Sequence, residues 1–71
     1  MTPRMRAVRS TSVAAVGYDD QTNELHIEFV GGSRYIYALV PLSTYRALLD
    51  AESIGTFVNQ RVKPAYPARE A

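Results

Sequence analysis

A strict alternation of apolar and polar residues at positions 24–29 constrains the fold of this chain more than any other feature. The two kinds of side chain alternate without exception through Glu24, Leu25, His26, Ile27, Glu28 and Phe29. Side chains of a β-strand point to opposite faces in turn, so this period predicts a strand over residues 24–30 with one buried face. On this interpretation His26 and the two glutamates beside it face solvent.

Two neighbouring segments predict strands that pair with this central one. Residues 12–18 are rich in valine and alanine, and residues 34–40 place Tyr35, Tyr37 and Leu39 on one face. Short segments rich in Asp, Asn, Gly and Ser separate the three strands, and such residues favour hairpin turns. Three consecutive strands with short connections predict an antiparallel meander.

After the third strand the pattern changes to a helical period. Pro41 ends the sheet because proline has no N–H for a ladder hydrogen bond. The apolar residues that follow lie three, six and seven positions after the first, as on one face of a helix: Leu42, Tyr45, Leu48 and Leu49. Ser53 is suited to cap a second short helix, which Pro64 ends.

One apolar sheet face and two apolar helix faces are buried together if both helices pack on the same side. The sequence therefore predicts an α+β fold, a three-stranded antiparallel meander followed by two short helices packed on one face (βββαα). The 71 residues suffice for one domain over residues 12–66, with a flexible basic arm at 1–11 and a tail at 67–71. The expected core contains Val16, Tyr18, Leu25, Ile27, Phe29, Tyr35, Tyr37, Leu39, Tyr45, Leu48, Leu49, Phe57 and Val62.

Charge is distributed unevenly along the chain, whose formal net charge is +1. Residues 1–12 contain three arginines and no acid, and residues 61–71 contain three cations and one acid. Residues 13–60 contain six acids and two arginines. The folded body is thus expected to be acidic and both ends basic, and basic ends are able to contact phosphates.

Composition excludes several classes of function. The chain has no cysteine, so no disulfide and no thiolate site is expected. It has no apolar run long enough for a membrane span, and residues 1–6 do not resemble a secretory signal, so we expect a cytoplasmic protein without a membrane partner. Glu24, His26 and Glu28 could chelate a metal, but solvated alternating residues are much commoner. No catalytic residue, metal or cofactor is predicted.

A series of short motifs resembles one known family. In order, the motifs are Gly17-Tyr18-Asp19, Leu25-His26-Ile27-Glu28-Phe29, Gly32, Tyr35-Ile36-Tyr37, Val40-Pro41, Ala51, Ser53, Gly55, Phe57, Asn59, Val62 and Tyr66. Over residues 12–66 the chain is similar to the KTSC domain, a small module named for its occurrence at the C-terminus of some lysyl-tRNA synthetases. The resemblance implies a small non-enzymatic binding module, and the association with a synthetase suggests RNA binding. The family positions expected to be structural are Tyr18, Tyr35, Tyr37, Pro41, Ser53, Gly55 and Phe57.

Two of these motifs have both a structural and a functional interpretation. Tyr35 and Tyr37 could stack unpaired bases on a sheet face, but they share a face with Leu39, which favours core packing. Ser53 and Gly55 at a helix start could bind an anion. An ordinary N-cap is the favoured interpretation of Ser53.

Two hypotheses of function follow from these observations. The first is an accessory RNA-binding or other nucleic-acid-binding module, with contacts from Arg4, Arg6, Arg9, Asn59, Arg61, Lys63, Tyr66 and Arg69. The alternative is a protein-interaction module or homo-oligomer that acts through the exposed sheet face, at Ile36 and Val30, or through an edge strand. Convergence of the basic residues on one concave face would favour the first hypothesis, and their dispersal would favour the second.

Overall fold

The computed structural model describes residues 3–71 and contains an antiparallel sheet with two helices on one face. The strand order in the sheet follows the chain, β1-β2-β3-β4-β5. The strands are β1 (Arg6–Ala7), β2 (Val13–Asp19), β3 (Glu24–Phe29), β4 (Arg34–Tyr37) and β5 (Ala68–Glu70). The helices are α1 (Leu42–Asp50) and α2 (Ile54–Phe57), and α2 continues into a π-helical segment, Val58–Val62.

The α+β class and the two helices are confirmed, but the prediction of three strands is wrong. The two additional strands lie in the segments predicted as arm and tail: Arg6–Ala7 pairs with β2 and Ala68–Glu70 pairs with β4. Strands of two and three residues are too short to show a period of two, so the pattern did not reveal them. The first two residues of the predicted arm lie outside the described residues.

The register of β2, β3 and β4 places their large apolar side chains on one face, here called the inner face. Leu25 in β3 lies opposite Tyr18 in β2 and Tyr37 in β4. Ile27 is paired in the same way, with Val16 and Tyr35. Directly opposite residues share a face in an antiparallel sheet. The helices cover this face, and the apolar face predicted for the central strand is confirmed.

The core lies between the inner face and the helices. Six residues of the predicted core are buried: Val16, Leu25, Ile27, Tyr37, Leu48 and Val62. Six more are half-buried and pack against them: Tyr18, Phe29, Tyr35, Tyr45, Leu49 and Phe57. The sequence analysis did not include four residues that are also buried: Val13, Val40, Ile54 and Val58.

Leu39 is the one predicted core residue that the structure places in solvent. Strand β4 ends at Tyr37, two residues earlier than the predicted face requires. Leu39 has a φ of 60°, in the left-handed region, and its side chain is 74% exposed. This conformation breaks the alternation, so Val40 is buried instead and its N–H donates to the carbonyl of Asn23 at 2.8 Å.

Tyr18 connects helix α1 to the sheet. Its ring stacks on that of Tyr45 in α1, with ring centroids 5.2 Å apart and an interplanar angle of 16°. Its hydroxyl donates to the carbonyl of Val40 at 2.6 Å, immediately before the helix. Pro41 follows as the N-cap of α1 in an extended conformation. The start of the helix is therefore fixed to β2 by one hydrogen bond and one stacked ring pair.

The opposite, outer face of the sheet contains a second correction. His26 was predicted to face solvent, but it is only 5% exposed. It lies in a row across the sheet with Gly17, Ile36 and Arg69. A Cβ at Gly17 would lie 2.8 Å from the sulfur of Met5, so this glycine allows the N-terminal segment to cover the outer face beside His26.

Two ion pairs lie on the same face on either side of His26. Glu28 pairs with Arg34, and Glu24 pairs with Arg69, each at 2.9 Å. Neither ring nitrogen of His26 has a hydrogen-bond partner among the described residues. Burial disfavours the charged imidazolium and lowers the pKa of His26 below its ordinary value of 6.5.

The buried histidine predicts a specific pH dependence of stability. The unfolded chain binds a proton at His26 as the pH falls below 6.5, whereas the folded protein does so only at lower pH. Stability is therefore full above this value and falls below it, by at most about 1.4 kcal/mol per pH unit. Urea unfolding of the wild type between pH 7.5 and 5.5 measures this slope.

The control is His26→Phe, which keeps a flat buried ring and removes the titrating group. The slope of unfolding free energy against pH is expected to flatten in this variant, whatever its absolute stability. Equal slopes in the two proteins would contradict the assignment.

Candidate functional site

A cavity of about 490 Å³ opens on the inner face where β3, β4 and β5 come together. Phe29 ends β3, Tyr35 and Tyr37 come from β4, and Ala68 begins β5. Lys63 follows the π-helical segment and lies at the same cavity. We call this cavity the aromatic pocket; it is lined by Phe29, Ser33, Tyr35, Tyr37, Lys63 and Ala68.

Two rings and one cation define the geometry of the aromatic pocket. The rings of Phe29 and Tyr35 meet edge to face, with centroids 6.0 Å apart and an interplanar angle of 72°. The ammonium of Lys63 lies 5.1 Å from the centroid of Phe29, within the range of a cation–π interaction. Lys63 forms no ion pair with any residue from 3 to 71. The pocket thus combines aromatic surface with a positive charge available to an anion.

The two tyrosines of the Tyr-x-Tyr motif have different environments in this pocket. Both rings lie on the inner face, as the core interpretation predicts. Tyr37 is only 4% exposed, and burial, together with the neighbouring Tyr35, raises the pKa of its hydroxyl, which stays neutral near pH 7. Tyr35 is half-buried and lines the pocket. The motif therefore contributes both to the core and to an accessible surface.

The predicted nucleic-acid-binding residues do not converge on one face. Lys63 lies at the aromatic pocket. Arg69 is on the outer face in its ion pair with Glu24, and Arg6 is exposed on β1, with Arg4 exposed just before it. The other four residues occupy two further clefts in pairs, so the structure groups the eight residues into several separate sites.

Arg61 and Tyr66 form one of these pairs. They line a cleft of about 210 Å³ against the first half of α1, here called the arginine cleft. The guanidinium carbon of Arg61 lies 5.5 Å from the ring centroid of Phe57. The hydroxyls of Tyr66 and Thr44 are hydrogen-bonded at 3.1 Å.

Arg9 and Asn59 form the other pair, in a cleft of about 380 Å³ beside the start of α2. Three hydroxyls of this cleft, those of Ser10, Ser53 and Thr56, have hydrogen-bond partners inside the protein. Ser53 accepts a hydrogen bond from the Thr56 N–H at 3.2 Å, so the N-cap interpretation is confirmed. Gly55 lies against the side chain of Ser12, whose hydroxyl oxygen would be 2.5 Å from a Cβ at this position.

Sequence reasoning missed three lining residues of the aromatic pocket. Phe29 was assigned to the core alone, and Ser33 was assigned only to a turn. Ala68 was assigned to the tail, and nothing in its sequence neighbourhood signals a strand that returns to β4. Only the pairing of Ala68 with Tyr37 brings it to the pocket.

Two kinds of feature are absent from the part of the chain that the structure describes. Residues 3–71 contain no group of three or more His, Asp or Glu side chains arranged to hold a metal ion. Within the same range, none of the helices has the length and apolar character needed to cross a bilayer.

Comparison with known proteins gives consistent results at the levels of sequence and fold. The family model of the KTSC domain matches residues 9–66. A protein of Tsukamurella paurometabola is 44% identical over 64 residues, which cover 90% of this chain and 96% of the relative. An uncharacterized protein of Stutzerimonas stutzeri is 40% identical over 60 residues, 84% of each chain. The crystal structure of a KTSC domain protein from Yersinia pestis superimposes with a TM-score of 0.92 at 27% identity, covering 99% of both chains.

The capping role of Ser53 gives a testable prediction for this part of the structure. Ser53→Ala removes the acceptor for the Thr56 N–H and is expected to lower the free energy of unfolding by about 1 kcal/mol. Ser53→Asp keeps an acceptor at the N-cap and is expected to retain most of the stability. Urea unfolding at pH 7 measures both variants, and equal losses in the two would argue against a capping role.

Proposed function

The chain belongs to the KTSC domain family, and from this premise we propose that it is a small non-enzymatic module that binds single-stranded nucleic acid, RNA in the first instance. One unpaired base enters the aromatic pocket. The eight residues first predicted to contact nucleic acid are dispersed over the surface, so their arrangement does not support the proposal. The observation that carries it is the aromatic pocket, in which two half-buried rings and an ammonium group line one cavity on the inner face.

The size and lining of the aromatic pocket suit a nucleobase. Its volume of about 490 Å³ lies within the range of about 300–1,000 Å³ that is typical of small-molecule sites. Unpaired bases stack on aromatic side chains with little dependence on sequence, because every base has a flat π face. Tyr35 supplies such a ring at the cavity wall. A base inside a duplex cannot reach it, so the proposal predicts a preference for single strands.

Lys63 adds the electrostatic part of the proposed site. Its ammonium lies over Phe29 and has no carboxylate partner among the described residues. A phosphate attached to the bound nucleoside would find this cation next to the ring. Each phosphate neutralised on a single strand contributes about −0.7 to the slope of log affinity against log salt concentration. The site therefore predicts a shallow salt dependence.

The proposal is tested by fluorescence anisotropy with labelled eight-nucleotide oligo(U) and oligo(A) RNA at low salt. Tyr35→Leu is expected to weaken binding about tenfold to hundredfold, because it removes the stacking surface. Tyr35→Phe keeps the ring and is expected to bind like the wild type. Lys63→Gln is expected to weaken binding and flatten the salt dependence.

Arg46→Gln is the matched control for Lys63→Gln. Arg46 is exposed on α1 and lines none of the three cavities described above. Equal affinity of wild type and Tyr35→Leu, or binding of duplex RNA as tightly as single strands, would exclude the pocket as the binding site.

Two observations favour a second candidate function, association with a protein or with another copy of the chain. The predicted basic contacts are dispersed, and large apolar residues are exposed. Val30 is 60% exposed, and Leu39 and Leu42 are exposed close together before and at the start of α1. The predicted contact at Ile36 is half-buried instead, and the edge strands β1 and β5 have only two and three residues.

Sedimentation velocity at rising protein concentration tests this second candidate for the homo-oligomer. Leu39→Asn removes the exposed apolar side chain and is expected to reduce self-association through this position. Asparagine is chosen because it tolerates the left-handed backbone conformation of residue 39. A chain that stays monomeric throughout the concentration series would exclude a homo-oligomer.

A further inference from the structure

We propose that the arginine cleft is a phosphate-binding subsite, separate from the aromatic pocket. Its lining offers one guanidinium group and three hydroxyls, from Arg61, Ser43, Thr44 and Tyr66. No carboxylate is among the residues that line it. A concave site with this composition selects an anion with several acceptor oxygens.

Arg61 is held in place without an acidic partner. Its guanidinium carbon lies over the ring of Phe57, 5.5 Å from the centroid, and it forms no ion pair with any residue from 3 to 71. The planar guanidinium presents donors in a fork that matches two phosphate oxygens. Because the ring already restricts the side chain, less rotamer freedom is lost when an anion binds.

The hydroxyl side of the cleft is also ordered. Tyr66 is half-buried, its N–H donates to the carbonyl of Val62 at 3.1 Å, and its hydroxyl is 3.1 Å from that of Thr44. A hydroxyl pair of this kind shares one hydrogen, so the other hydrogen is free to donate to a ligand. The first turn of α1 contains no acidic residue that would repel an anion.

Which molecule carries the bound phosphate group is inferred from the proposed function. If the aromatic pocket binds a base, the phosphate belongs to the same nucleic-acid strand. The segment between the two sites supplies residues to both. Arg61 and Tyr66 line the arginine cleft, and Lys63 and Ala68 line the aromatic pocket. Free phosphate has the same chemistry, so the experiment includes both sources.

The test is a titration of the ¹⁵N-labelled full chain, followed by NMR, with inorganic phosphate, uridine and uridine 5′-monophosphate at constant ionic strength. Phosphate is expected to shift the amides of residues 43, 44, 61 and 66. Arg61→Gln is expected to weaken phosphate binding about tenfold or more and to leave uridine binding unchanged. Tyr66→Phe removes only the hydroxyl and is expected to weaken phosphate binding to a smaller extent.

The controls separate this inference from the proposed function. Arg46→Gln removes an exposed cation on α1 outside the cleft and is expected to leave phosphate binding unchanged. Tyr35→Leu is expected to weaken uridine binding and to leave inorganic phosphate unaffected. Two results would overturn the subsite. One is equal phosphate affinity of the wild type and Arg61→Gln, and the other is amide shift changes that lie outside the arginine cleft. If Tyr35→Leu does not weaken uridine binding while the phosphate results are as expected, only the proposed role of the aromatic pocket is overturned.

Discussion

The burial of one sheet face under a single helical layer is the constraint on which the rest of this structure depends. Helix α1 has nine residues, and at about 1.5 Å per residue it is about 13 Å long. Five strands spaced about 4.8 Å apart form a sheet about 19 Å wide. A cavity between the sheet and the end of the helical layer shows that these short helices do not cover the whole inner face. The uncovered part lies at β4 and β5, where the aromatic pocket is found.

The five tyrosines show how this constraint assigns different roles to one residue type. Tyr18 of the sheet stacks on Tyr45 of helix α1, and Tyr37 is buried in the core. Tyr35, two residues from Tyr37 on the same face, lines the open pocket, and the hydroxyl of Tyr66 contacts that of Thr44. The sequence motif alone does not distinguish a core ring from an accessible ring. The burial of each ring in the folded chain does so.

The sequence correctly predicted the elements that depend on local periodicity. It failed for residues whose burial depends on contacts with distant parts of the chain. The alternation at 24–29 correctly predicted β3 and its apolar face, and the helical spacing after Pro41 correctly predicted α1. His26 is buried beside Gly17, where the N-terminal segment lies against the outer face, and no local pattern records that contact. Leu39 departs from the pattern because one residue with positive φ shifts the alternation.

The end of the second helix explains why two candidate sites lie on either side of one segment. The N–H of Lys63 donates to the carbonyl of Val58, five residues earlier, as in a π-helix. Such wide turns are rare and occur often at functional sites. The turn keeps Val58 and Val62 buried, while Arg61 and Lys63, two residues apart, line different cavities. Since the same segment then leads into β5, one short stretch of backbone positions residues of both sites.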